Sequence, residues 1–131
     1  MVISEAKIKK IILKSMINIF YEDRKPRVDW MGYQITKKNF PTYHHIIKKT
    51  TLRSNNKSSS ATVDNGAYLG KKSHDMLHVI EQVDHDLYEC WNDLFIMINR
   101  MRIHPIDDVW GMVNQLKTRS EEVLNRSKSR K

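Results

Sequence analysis

With one cysteine, Cys90, the chain can close no internal disulfide and cannot assemble a paired-cysteine knuckle around a structural zinc. Only four glycines and three prolines occur, which excludes collagen-like and Pro/Gly-rich disordered chains and leaves an ordinary, fairly helical composition. No apolar run approaches the roughly 20 residues that a bilayer-spanning helix needs. Near the start, Lys7, Lys9, Lys10 and Lys14 interleave with the apolar residues instead of preceding them, unlike an export signal. A Gly-rich phosphate loop, a GxSxG elbow and internal repeats are missing as well. The expectation from these absences is one domain over residues 1–131, in a cytoplasmic setting, with no membrane partner.

Charge is the first positive feature, because the net +8 is unevenly spread. Residues 1–60 carry thirteen Lys/Arg against four Asp/Glu, His74 to Asp108 carries two against eight, and the stretch from Val109 carries six against two. A basic first half and a basic tail over residues 125–131 could lie along a polyanion. Solvated helix faces give the same count, so charge alone decides nothing.

Apolar spacing orders the elements. Ile8, Ile11, Ile12, Met16, Ile19 and Phe20 recur at helical intervals after Ser4, a suitable N-cap. Val28 to Ile35 reads as a short strand and a bend at Gly32, and Thr42 to Ile47 as a β-branched and aromatic strand. The hydrophilic stretch 50–62 should be a mobile loop, and Val63 to Leu69 the returning strand of a hairpin. Ser73 is placed to cap one long helix through Met76, Leu77, Ile80, Val83, Leu87, Trp91, Leu94 and Ile98. Pro105 suits the first turn of a last helix, with Asp107 and Asp108 near its positive end and Val109, Met112, Val113 and Leu116 on its apolar face. Trp91, Trp110 and the methionines follow the helical period and read as core. The expected class is α+β, a hairpin and helix embedded in a mainly helical small domain.

Chemistry concentrates in five residues. His44 and His45 are adjacent on a strand, so their side chains leave on opposite faces. His74 and His78 are four apart on a helix, so theirs share one face and could share a divalent metal. Asn65 precedes His74 by nine residues. A four-residue His spacing alone is weak, but its coupling to a two-histidine strand upstream is harder to obtain by chance.

The pattern Tyr43-His44-His45-Ile46-Ile47, then Asn65-Gly66-Ala67-Tyr68-Leu69, then Ser73-His74 and His78 resembles the HNH, or His-Me finger, endonucleases, in the layout of the nuclease-colicin type. The resemblance covers about Phe40 to Glu81. It implies a ββα-metal hairpin plus helix holding one divalent cation, with His44, His74 and His78 as ligands, His45 as general base and Asn65 bracing the loop that orients the base. Zinc, nickel, manganese, cobalt and magnesium are all candidates, the last less natural to imidazole ligands.

The implied activity is DNA phosphodiester hydrolysis, in an enzyme of phage or mobile-element type, with RNA an open alternative substrate. Lys48, Lys49, Arg53 and Lys57, in an Asn/Ser-rich insertion that replaces the family's Gly-Gly turn, would contact phosphates. Glu81, seven residues after His74, either hydrogen-bonds a ligand histidine or is a solvated helix acid. His85 and His104 lie outside the pattern and are assigned surface or packing roles, and Cys90 has no implied catalytic partner. The competing function is a non-catalytic protein on a nuclease scaffold, an inhibitor or DNA-binding adaptor, whose acidic stretch from His74 to Asp108 would face a protein partner.

Overall fold

A computed structural model describes residues 4–21, 27–46, 65–101 and 107–129. In chain order these are helix α1 (Glu5–Tyr21), strands β1 (Pro41–His45) and β2 (Gly66–Gly70), and helices α2 (Lys71–Val83), α3 (His85–Met101) and α4 (Asp107–Ser129). The class is α+β, mostly helical, with a small two-stranded antiparallel sheet among the described residues. No described helix is long and apolar enough to cross a membrane. The expected loop 50–62, with Lys48, Lys49, Arg53 and Lys57, lies outside the described residues, as do His104 and Pro105.

Ser4 caps α1 as its hydroxyl suggests: Lys7 N–H donates to Ser4 Oγ at 3.2 Å and Ile8 N–H to its carbonyl at 3.0 Å. The helix buries Ile12, Met16, Phe20 and Tyr21, whereas Ile11 and Ile19 face outward. Its buried stripe is thus narrower than the apolar pattern indicated. Phe20 meets Trp30 edge-on at 4.9 Å, Trp30 lies 6.2 Å from Phe95, and Phe95 stacks on Trp91 at 5.7 Å. This aromatic chain runs through the core from α1 to α3, and Trp91 Nε1–H ends it by donating to Ser120 Oγ of α4 at 2.8 Å.

Between α1 and β1 the expected short strand is a turn closed by a single antiparallel bridge, Val28 to Gln34. Gly32 supplies its left-handed residue, φ 85°, under α4, where an added Cβ would come within 3.2 Å of Val113 Cγ1. Asp29 anchors the turn from inside. Its fully buried carboxylate accepts Met31 N–H and Tyr33 N–H on Oδ1, each at 3.0 Å, and Gly70 N–H on Oδ2 at 2.8 Å. Burial lifts this carboxyl above the ordinary carboxylate value, opposed by those hydrogen bonds.

Strand pairing sets Thr42 opposite Leu69, Tyr43 opposite Tyr68, His44 opposite Ala67 and His45 opposite Gly66. The expected hairpin partners are therefore present. Ser73 does not cap the helix that follows: the N-cap is Gly70, and Ser73 is buried inside the first turn. That helix start is satisfied by residues distant in sequence. Gly70 N–H goes to Asp29, Lys71 N–H to Phe40 carbonyl at 2.8 Å, and Lys72 N–H to Asn39 Oδ1 at 2.8 Å.

The single long helix is also corrected. Asp84, with φ −151° and ψ 85°, ends α2 and caps α3, its Oδ1 accepting Leu87 N–H at 3.1 Å. The apolar period ran straight through this break because both helices face the same core; Val83, counted on that face, is exposed. In α4, Val109 and Val113 are buried but Met112 is exposed, and the helix runs to Ser129, into the stretch expected as a tail.

Candidate functional site

Three of the four motif histidines gather where β1, α2 and α3 meet. β1 alternates, so Thr42 and His44 leave on one face and Tyr43 and His45 on the other. His44 is buried, with ring contacts to Tyr88 and Phe95 of α3. Its centroid lies 5.5 Å from that of His74 and 6.4 Å from that of His78, and the two helix rings stack at 4.9 Å. The i, i+4 spacing and the strand alternation therefore bring all three expected ligand residues together.

Two imidazoles on one tetrahedral ion, with nitrogen–metal distances of about 2.0–2.1 Å, have ring centroids about 5 Å apart. Two of the three separations match, and the third is about an ångström long. The donor set suits a divalent transition metal, but His44 and His78 would have to close by about an ångström to share one. The rings are not yet aimed at one point. Imidazole lone pairs lie in the ring plane, and the planes of His74 and His78 are inclined by only 26°. Among the described residues no group of three or more His, Cys, Asp or Glu side chains is placed to hold an ion. His78 is 57% exposed, so a rotamer change there meets little packing resistance.

Each ring has a polar neighbour. Asn92 Oδ1 lies 2.9 Å from His44 Nε2, and Thr42 Oγ1 lies 2.9 Å from His74 Nδ1. Glu81 Oε1 lies 3.7 Å from His78 Nδ1 and is largely buried, 11% exposed, so it is not the solvated acid that was the blander expectation. Burial depresses His44 to about 4, against the Asn92 hydrogen bond, which acts upward. Burial also depresses His74 to about 4, helped by electrostatic coupling to His78, opposed by Asp75 and helped further by the charges of Lys71 and Lys9. Both rings are thus neutral near pH 7, the form that binds metal.

His45 ends β1 on the far face from His44, its ring edge-on to Tyr43 at 4.8 Å. Asn65 stands across the mouth of the hairpin: it is buried, and its carbonyl accepts Ile46 N–H at 2.9 Å. That bond fixes the residue immediately after His45. His85, outside the pattern, is exposed and lies 3.5 Å from Glu89. Asn92, Asn39 and Asp29 were missed. Nothing local marks a lone Asn in an amphipathic helix, or an Asp and an Asn before a strand, as tertiary anchors.

No protein-family profile, curated protein or solved structure matches this chain.

Proposed function

We propose that the chain is a divalent-metal-dependent endonuclease of the HNH, His-Me finger type that hydrolyses DNA phosphodiester bonds, with β1, β2 and α2 as its ββα-metal unit. The observation that supports it is the gathering of His44, His74 and His78, drawn from a strand and a helix whose order and spacing resemble that family. A divalent cation held there would relieve charge on the scissile phosphate and leaving oxygen.

The chain's own residues supply the rest. His44, His74 and His78 offer imidazole nitrogens, two of them on rings kept neutral by burial. His45, on a separate face, accepts the proton of the attacking water at a ring nitrogen. Asn65 holds the hairpin mouth beside it. Lys9 and Lys71, whose charges act on His74, would add attraction for a phosphate, Lys71 while paired with Asp75.

A plasmid-nicking assay over zinc, nickel, manganese, cobalt and magnesium tests this. The expected result is metal-dependent nicked product that EDTA abolishes and that His74→Ala lacks. Intact plasmid with every cation would overturn it. The stacked pose of His74 and His78 favours the second function, a non-catalytic adaptor on the same scaffold, which that outcome together with tight binding of a protein partner would support.

A further inference from the structure

Two histidines of the cluster have their protons assigned by neighbouring oxygens that are each left only to accept. Thr42 sits opposite Leu69 in the hairpin, and its hydroxyl donates to the Leu69 carbonyl at 2.8 Å. A carbonyl oxygen only accepts, so the single hydroxyl proton is committed there. The 2.9 Å contact between Thr42 Oγ1 and His74 Nδ1 must then be filled by a ring N–H, with Thr42 accepting. His74 accordingly carries its proton on Nδ1 and its lone pair on Nε2.

His44 is fixed by the same logic from α3. The side-chain carbonyl oxygen of Asn92 accepts from Nε2 at 2.9 Å, so the proton is on Nε2 and the lone pair on Nδ1. His78 is different. Its Nδ1 lies 3.7 Å from Glu81, beyond hydrogen-bond reach, and the ring is exposed.

We infer that Thr42 and Asn92 are positioning residues that set the tautomers of His74 and His44, so that a cation meets Nε2 of His74 and Nδ1 of His44, while His78 swings to complete the site. The metal part rests on the function proposed above; the tautomers belong to the protein alone. A ring held by its other nitrogen presents its lone pair in a fixed direction, and removing such a partner typically weakens metal binding about 10–100-fold.

Long-range 1H–15N correlation spectra of the metal-free protein at pH 7.5 decide the tautomers. The expected patterns are Nδ1–H for His74 and Nε2–H for His44, and the opposite pattern at either ring overturns the inference, whatever the metal does. Zinc affinity, read by competition with a chromogenic chelator, tests the positioning role. Thr42→Val and Asn92→Leu should each bind zinc about 10–100-fold more weakly, while Thr42→Ser and Asn92→Asp, which keep an acceptor, should stay within a few-fold of the parent. Parent-like affinity in folded Thr42→Val and Asn92→Leu would refute that role. A parent that binds no zinc would defeat the proposed metal centre and the positioning role with it, leaving the tautomers to be judged on the spectra.

Discussion

Acid should destabilise this protein through His44. In the unfolded chain an imidazole titrates near the ordinary 6.5, whereas the buried ring in the fold titrates at about 4. Above 6.5 both states are neutral and the group contributes no pH dependence. Between 6.5 and 4 the unfolded chain takes up a proton that the fold refuses, so stability falls as pH falls; below about 4 the folded ring protonates too and the loss levels off. Integrated from pH 7 to pH 4.5, that difference amounts to about 2.5 kcal/mol, a large share of the roughly 5–15 kcal/mol that holds a domain together.

His74 shifts the same way but is partly exposed, so solvent screening leaves it a smaller part. Asp29 acts with opposite sign: its carboxyl is raised by burial, so the fold gains a proton first and is relatively favoured as pH falls through that window. Urea unfolding of the parent and of His44→Gln at pH 7 and pH 4.5 separates these contributions. The variant should lose about 2.5 kcal/mol less than the parent over the interval. Equal losses in the two proteins would refute the assignment of the acid sensitivity to His44.

Four further outcomes follow. Gly70→Ala would drive a Cβ into Asn39, whose amide simultaneously holds Lys72 N–H and the Gln34 carbonyl, and losing both bonds should cost at least about 2 kcal/mol in urea unfolding; Gly111→Ala, with open space around it in α4, should instead stabilise by about 0.5–1 kcal/mol. Asp84→Ala removes the cap between α2 and α3 and should destabilise by about 1 kcal/mol, measured the same way. On the proposed function, His45→Ala should lower nicking by about 10²–10⁴-fold while leaving zinc affinity within a few-fold, and a fully active variant would remove the proposed base role of His45.

Period and punctuation carried much of the architecture. The β-branched and aromatic run through His44 and the Val63 to Leu69 segment announced two strands, Ser4 announced α1, and the alternation of β1 with the four-residue spacing of His74 and His78 put three imidazoles on facing surfaces. The misplaced features share a cause. At Asp84 a helix break was hidden because α2 and α3 turn their apolar residues to one core, so hydrophobic spacing continued across it. At Gly70 the helix start is capped by Asp29, Phe40 and Asn39, about thirty to forty residues away, and a local cap signal at Ser73 therefore misled. Thr42 and Asn92 become visible only once the hairpin and α3 set them against His74 and His44.

Anomalous scattering from a zinc-grown crystal, measured across the zinc edge, tests the proposed metal centre most directly. One peak lying about 2.0–2.1 Å from a nitrogen of each of His44, His74 and His78 is the expected result. A map with no peak among those rings, or with zinc bound only elsewhere on the surface, would contradict it.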